Sequence, residues 1–241
     1  MRYATRATTS ARAGRTRPLA AATLVALFLP FPLPAVCAAP ASASGVPAAK
    51  AAAPADSPQL SRDDVRKIIE QAVASANHTA SAEGLRSGPG FVPKRPTRMV
   101  VAVVARDGKL LDAFVMSDSW VGSQDIAVAK ARTAAFFSSN ENALTSRIIG
   151  SLSQPGAPLW GIGNSNQVGI SGSQQYRNGI ITFPGGVPLY KNGHLVGAVG
   201  VSGDAVDQDE WVAFAGAAGY APGPDVVKLG MTPPAGVPTI P

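Results

Sequence analysis

Cysteine and histidine are nearly absent from this chain of 241 residues, which has one cysteine, Cys37, and two histidines, His78 and His194. A single cysteine cannot form an intramolecular disulfide, so the folded part must be stabilised by its apolar core. A zinc site built on histidine would need both rings to converge. We expect no such site, because His78 falls on the polar side of a predicted helix and His194 follows a predicted turn.

Charge is also scarce, at 15% of residues, and it is unevenly placed. The net charge is +6, but five arginines lie between positions 2 and 17, before the first acidic residue, Asp56. Without them the remaining chain carries a charge of only +1. A nearly neutral domain lacks the basic surface that binds a phosphate backbone, so we expect no nucleic-acid partner.

Several catalytic motifs are missing as well. The stretch Gly200–Gly203 is followed by Asp204 and so lacks the last glycine of a nucleophile elbow. The glycines around it neither form a dinucleotide-binding fingerprint nor open a helix, and there is no P-loop. The sequence therefore gives no catalytic residue, and whether the protein is an enzyme stays open.

The amino terminus has the order of an export signal. The arginine-rich residues 1–17 are followed by an apolar run over 18–36 and by Ala41-Ser42-Ala43, a cleavage pattern of small residues. We predict a secretory signal peptide over residues 1–43 and a secreted or extracytoplasmic protein. Cys37 raises the alternative of a lipid anchor, but Val36 stands where lipoprotein signals usually carry a small residue.

Composition divides the rest into three parts. Residues 44–58, rich in Ala and Pro, predict a linker, and the Pro- and Gly-rich residues 222–241 predict a loose tail. The folded domain is expected at 59–221. Its helices are predicted by apolar periodicity after Ser61, over 123–137, over 142–152 and over 207–219.

Strands alternate with these helices. They are predicted over 99–105 and 110–116 around an Asp-Gly turn, and over 180–183, 187–190 and 194–201, the last two around Asn192-Gly193. Strands joined by tight turns pair antiparallel. The fold class is therefore α+β, an antiparallel sheet with flanking helices.

The predicted helix 123–137 carries an unusual face. Lys130 and Thr133 share it with Ile126 and Phe137, flanked by alanines, while Arg132 lies on another side. This face predicts a slot for a flat ligand, in which Lys130 pairs with an anionic group and Thr133 offers a hydroxyl. The alternative is that Lys130 extends to the helix edge and that Thr133 bonds its own backbone.

Two glycine-containing stretches are further candidates. Gly185-Gly186, between two prolines, predicts a fixed turn where the backbone approaches a ligand closely, or else a bulge between strands. At Gly200–Gly203 the amides and Ser202 could hold a carboxylate, or form an ordinary strand-to-helix connection. The acids Asp207, Asp209 and Glu210 are interpreted as helix-terminus residues.

At these residues the chain resembles the GlcG/HbpS-type haem-binding family, also called haem-degrading, from about Leu60 to Gly219. The similarity lies in motifs that occur in one order: Val101–Val104 with Asp107-Gly108, Ser123–Ala127 leading to Lys130–Ala134, Gly185–Pro188, Asn192-Gly193 with Val196–Gly203, and Gln208–Glu210. The chain is longer at 84–97 and 138–179. The resemblance implies a profilin-like fold, homo-oligomers and, for some members, export and haem binding, with Thr133 as the candidate residue at the haem iron.

Haem is thus the expected cofactor. Because a threonine hydroxyl is a weak iron ligand, binding would depend on burial of the macrocycle and on pairing of its propionates with Lys130 or Arg132. Tyr176, Tyr190 and Met116 are alternative ligands. We predict that the protein binds haem or another small planar or anionic molecule, and that a sensor protein is a further partner. The residues predicted to bind the molecule belong to the candidate slot and turns: Lys130, Thr133, Arg132, Phe137, Gly185, Gly186 and Ser202.

Two other functions stay open. In one, the protein is a haem-independent enzyme for a small organic acid, with Lys130 binding a carboxylate, Ser202 holding an oxygen and the loop 153–179 acting as a lid. In the other, it is a structural oligomer or a partner-binding module that binds no ligand.

Overall fold

The computed structural model describes residues 58–82, 95–160 and 179–240. The predicted signal peptide and all but the last residue of the predicted linker lie outside these ranges. The described part contains four helices and six strands: α1 Arg62–His78, β1 Val100–Ala105, β2 Leu110–Val115, α2 Ser123–Phe137, β3 Asn142–Leu144, α3 Ser146–Leu152, β4 Gly186–Lys191, β5 His194–Ser202, α4 Val206–Gly216 and β6 Val227–Leu229. In these ranges no helix has the length and apolar content needed to span a membrane.

Helix α1 begins where its capping residues predict. The Ser61 hydroxyl accepts a hydrogen bond from the Asp64 amide, and the Asp64 carboxylate accepts one from the Ser61 amide. These two bonds satisfy donors that the first helical turn leaves without partners. The apolar side of α1 is buried through Val65, Ile68 and Ala72.

A four-stranded antiparallel sheet in the order β2-β1-β5-β4 forms the centre of the domain. The α+β prediction is confirmed. Strands β1 and β2 meet at the Asp-Gly turn, and β4 and β5 meet at Asn192-Gly193. Both residues of the second turn have positive φ, 53° and 77°, as a type I′ hairpin turn requires.

Helices cover both faces of this sheet. On one face, α1 and α4 pack on Val101, Val103, Val199 and Val201. On the other face, the alanines of α2 pack on Val100, Ala102, Val104 and Ala198. Alternate residues of β1 and β5 therefore supply two separate cores, as the pleat of a strand dictates.

Two predicted elements differ from the structure. Residues 142–152 are not one helix, because β3 occupies 142–144 before α3 begins at Ser146. Thr145 separates them, since its hydroxyl accepts the hydrogen bond from the Ile148 amide that starts α3. The predicted strand 180–183 is also wrong: this segment approaches the sheet through bends, and the strand begins only at Gly186.

The carboxyl-terminal residues are not loose. Strand β6 pairs in parallel with β3, Val226 is buried, and the Ile240 amide donates to the carbonyl of His78 at 2.7 Å. A Pro- and Gly-rich sequence suits this extended course, since only a short edge segment needs sheet hydrogen bonds. The tail returns the chain to the end of α1.

Candidate functional site

Lys130 lies inside the protein and forms a buried ion pair. Its side chain is 2% exposed, and its Nζ lies 2.7 Å from Oδ2 of Asp209, which is 3% exposed. The Lys130 ammonium also donates to the carbonyl of Val201 at 3.0 Å. Lys130 therefore neither reaches solvent at the helix edge nor presents a free cation to a ligand.

The fold positions this pair from three directions. Helix α2 carries Lys130, the end of β5 supplies the Val201 carbonyl, and α4 carries Asp209. The turn before β4 lies against the lysine: a Cβ on Gly185 would come within 3.2 Å of the Lys130 side chain, and one on Gly186 would overlap the Lys130 carbonyl. The predicted close approach at Gly185-Gly186 is thus made to the protein's own helix.

The aspartate is held by a second donor. The Asp204 amide donates to Oδ1 of Asp209 at 3.0 Å, so a carboxylate does bind at the end of β5, but it belongs to the protein. Burial raises the pKa of Asp209 from 3.8 to about 6, against the opposing effect of Lys130. At neutral pH the carboxylate is still mainly ionised, and the ion pair is intact.

A second ion pair lies beside the first. Arg147 of α3 binds both Glu210 and Asp207 of α4. Burial raises the pKa of Glu210, although Arg147 opposes the shift, and among the described residues its Oε1 has no hydrogen-bond partner. Asp207 and Asp209 do lie in the first turn of α4, as their interpretation as helix-terminus residues expects. Asp209 and Glu210 are in addition buried partners of cations on other helices.

The predicted slot on α2 is filled by the sheet. Ala127 and Ala134 are fully buried, and a Cβ on Gly200 of β5 would overlap the Ala127 carbonyl and lie 2.6 Å from the Ala131 amide. Small residues on both sides allow helix and strand to pack closely. The prediction of an open slot is wrong for this reason, and the alanines serve helix–sheet packing.

The other residues predicted for the site lie apart. Thr133 is buried, and its hydroxyl donates to the Ala129 carbonyl and accepts from the Ile181 amide. Arg132 faces the β1–β2 turn and donates to the Gly108 carbonyl at 2.8 Å. Phe137 is half-buried at the end of α2, and Ser202 is buried at the end of β5. Their assignment to ligand binding stays a prediction.

The alternative iron ligands have structural partners. The Tyr190 hydroxyl donates to the carbonyl of Ser139 at 2.7 Å, and burial raises its pKa to about 12. Met116 is in the core, where its sulfur accepts a hydrogen bond from the Met99 amide. Tyr176 lies outside the described residues. Within those residues no cluster of His, Cys, Asp and Glu could hold a metal ion.

An open groove lies between α1 and strand β2. It has a volume of about 1220 Å³ and is lined by residues 60–77 on one side and 109–114 on the other. It exists because α1 packs against α4 and the middle of the sheet, which leaves the edge strand uncovered. Phe114, 45% exposed, is opposite Val101 on the α1 face and forms part of the floor.

The groove combines apolar walls with charged rims. Apolar lining comes from both sides, including Val65, Ile69, Val73, Leu111 and Phe114. The charged lining consists of three cations, Arg62, Arg66 and Lys109, and two acids, Glu70 and Asp112. Sequence reasoning missed this groove. One sign was present, namely a predicted strand at 110–116 with apolar residues on both faces, which suits a fully covered strand and not an open edge.

Comparison with known proteins shows similarity to one family. The sequence profile of the family described as "Haem degrading protein HbpS-like" matches residues 91–218. An uncharacterized 15.0 kDa protein from the dhaT-dhaS intergenic region of Citrobacter freundii is 36% identical over 115 residues, which is 48% of this chain and 70% of that protein. The corrinoid adenosyltransferase PduO of the same organism is 31% identical over 115 residues, only 30% of its length.

Two solved structures are similar to this chain at 25–26% sequence identity. A crystal structure described as a PduOC:heme complex has a TM-score of 0.49 at 25% identity, covering 67% of this chain and 94% of that one. Klebsiella pneumoniae protein ORFY has a TM-score of 0.49 at 26% identity, with coverages of 70% and 97%.

Proposed function

The chain belongs to the HbpS-like family of haem-degrading proteins, and from this premise we propose that it binds haem in the groove between α1 and β2. The observation that carries the placement is the combination, in one groove of about 1220 Å³, of apolar walls with three cations, Arg62, Arg66 and Lys109, which outnumber the two acids of the lining. Small-molecule sites typically occupy about 300–1,000 Å³ and are mostly apolar with a few placed polar groups. The volume is therefore sufficient for a macrocycle.

The described residues fit the organic part of haem better than its iron. Arg62, Arg66 and Lys109 can pair with the two propionates, while Phe114 offers an aromatic face for the ring. None of the described lining residues is His, Cys, Met or Tyr, the usual protein ligands of haem iron. The binding energy would come mainly from burial of the macrocycle and from the propionate pairs.

A haemin titration followed in the Soret region tests the proposal. We expect a saturable spectral shift, weakened about tenfold by Arg66→Glu and more strongly by Phe114→Asp. Lys67→Glu is the matched control, because it makes the same change of charge at an exposed residue of α1 that does not line the groove and lies near the ring of Tyr220. It should bind as the wild type does.

Two results would overturn the proposal in different ways. Absence of any saturable shift in the wild-type protein would refute haem binding. Unchanged affinity in both groove variants, with loss of binding in Thr133→Val, would move the site to α2 and refute the groove. Melting curves of all variants separate lost binding from lost folding.

The enzyme alternative is less well supported. It requires Lys130 to bind a substrate carboxylate, but that ammonium is already paired with Asp209 in the interior. Haem storage, sensing and degradation all begin with the same complex. Incubating the haem complex with ascorbate and oxygen separates degradation, in which the Soret band is lost, from storage, in which it persists.

We also propose that the protein is exported, on the basis of the arginine-rich and apolar order of residues 1–43. Expression in its host, fractionation and amino-terminal sequencing test this. A mature chain that begins near residue 44 outside the cytoplasm supports the proposal. A cytoplasmic chain that retains Met1 refutes it, and a mature chain that begins at a lipid-modified Cys37 would replace the secreted form by an anchored one.

A further inference from the structure

Helix α1 runs along the sheet from one end of the strands to the other. Near its start, the Asp64 carboxylate accepts a hydrogen bond from Lys191 at 2.6 Å, and Lys191 is paired with His194 beside the β4–β5 turn. Near its end, the Asn77 side chain accepts one at 3.2 Å from Arg98, which shortly precedes β1. The groove beside α1 therefore has one end near the β4–β5 turn and its other end near the start of β1.

The three cations of the groove share the first of these ends. Ala105, the last residue of β1, is paired with Gly197 near the start of β5, so the β1–β2 and β4–β5 turns lie at the same end of the sheet. Lys109 lies between β1 and β2, directly before β2, and so lies at this end. Arg62 and Arg66 lie there too, because they belong to the first two turns of α1.

The lining beyond these cations is mainly apolar. Ile69 and Val73 continue it along α1, and Leu111 and Phe114 continue it along β2. The groove is therefore cationic at one end and apolar along most of its length. A porphyrin of the haem type is divided in the same way, because both of its propionates lie on one edge of the ring and the opposite edge is apolar.

The cations can be exchanged from their present partners to a ligand. Nη1 of Arg66 lies 3.3 Å from Oδ1 of Asp63, but the two side chains are 66% and 85% exposed. An exposed pair of this kind contributes little to stability, so replacing Asp63 by a propionate costs little. Two propionates on one edge of a ring can then share three cations.

The groove offers much less to a metal at the centre of the ring. Its described lining side chains with oxygen atoms are Ser61, Glu70, Asn77 and Asp112. The Ser61 hydroxyl caps α1, the Asn77 side chain binds Arg98, and the Asp112 carboxylate accepts from the Ala113 amide. Carboxylates suit magnesium, calcium and manganese, whereas haem iron is usually held by His, Cys, Met or Tyr. The described donor set therefore does not fit the iron.

Building on the proposed placement of haem in this groove, we propose that recognition depends on the porphyrin ring and its two propionates and not on the iron. Metal-free protoporphyrin IX then binds as tightly as haemin does. The propionates lie at the end with Arg62, Arg66 and Lys109, and the apolar edge of the ring lies toward Phe114. The ligand class of the groove is that of dicarboxylic porphyrins, with or without a metal.

Quenching of the intrinsic tryptophan fluorescence measures both ligands with one readout. Titrations of the full chain with haemin and with protoporphyrin IX should give dissociation constants within about threefold of each other. Arg62→Glu should weaken the binding of both ligands by about tenfold, because it removes a cation from the propionate end. The control Lys67→Glu changes an exposed residue outside the groove and should weaken neither.

Two further variants test whether the protein holds the iron. Glu70 lines the groove, and His78 follows Asn77, the last lining residue of α1. Glu70→Gln and His78→Ala should leave the ratio of the two dissociation constants unchanged. Imidazole added to the haem complex should shift the Soret band without releasing the porphyrin, because the groove leaves the iron accessible to other ligands.

The possible failures of the two proposals can be told apart. Haemin that binds more than about tenfold tighter than protoporphyrin IX would overturn this inference and leave haem binding in the groove intact. Loss of that preference in Glu70→Gln or His78→Ala would identify the side chain that holds the iron. If neither ligand binds, or if Arg62→Glu binds both as the wild type does, the groove itself is refuted and the inference with it. Melting curves without ligand show that each variant is folded.

Discussion

The buried pair between Lys130 and Asp209 gives the sharpest test of the interior. In Asp209→Leu, the Lys130 ammonium stays buried with only the Val201 carbonyl as partner. In Lys130→Met, the Asp209 carboxylate keeps only the Asp204 amide. Removing one member of a buried pair costs about 3–5 kcal/mol, a large part of a typical stability of about 5–15 kcal/mol.

The double variant should behave differently. Lys130→Met with Asp209→Leu removes both charges and fills the same space with apolar atoms, a change that is often neutral or stabilising. We expect its free energy of unfolding to lie within about 2 kcal/mol of the wild-type value. The single losses would then not add, and the coupling energy would amount to several kcal/mol.

Urea unfolding at pH 7, followed by circular dichroism, gives the four free energies of this cycle. Gly223→Ala is a control for a change with no steric consequence, since a Cβ there meets nothing within 4 Å. Single variants that each cost less than about 1 kcal/mol, or single losses that simply add in the double variant, would show that the pair is not buried and coupled as described.

Three further predictions concern other contacts. Gly186→Ala should destabilise the domain by roughly 2–4 kcal/mol or prevent folding, because its Cβ would overlap a backbone carbonyl of α2. A thermal unfolding curve equal to that of Gly223→Ala would contradict this prediction. Asp64→Asn should lower stability by about 1–3 kcal/mol at pH 7 and less at pH 2. Burial alone would raise the pKa of Asp64, but hydrogen bonds from Lys191 and from the α1 cap hold this pKa below 3.8. The stabilisation by Asp64 is therefore present above the unfolded pKa and is lost as the pH falls. An Asp64→Asn variant that is equally destabilised at both pH values would refute this prediction. The ionisation of Asp209 gives the opposite pH dependence, because its folded pKa of about 6 exceeds 3.8. Its contribution to the free energy of unfolding is fully present below pH 4 and is lost as the pH rises through 6. Chemical unfolding of the wild type and Asp209→Leu between pH 4 and 8 measures that difference, and parallel pH profiles would contradict it.

Local sequence determined most of the elements. The Ser61–Asp64 box fixes the start of α1, and the Asp-Gly and Asn-Gly turns fix two hairpins and hence the antiparallel sheet. The helix predicted at 123–137 matches α2. These features depend on interactions within about four residues, so the chain specifies them wherever they are later packed.

The nature of the candidate site was decided by tertiary packing. Lys130 meets Asp209 across 79 positions of sequence, and no periodicity could indicate that an acid on the last helix would neutralise it. The alanines of α2 indicate a helix face of small side chains. Only the position of β5 decides whether the space beside them is an open slot or a helix–sheet contact. The groove beside β2 and the return of the carboxyl-terminal segment to α1 likewise follow from how complete elements cover one another. Which surfaces become buried depends on the shapes of elements that lie far apart in the sequence. The local propensity of a segment carries no information about this.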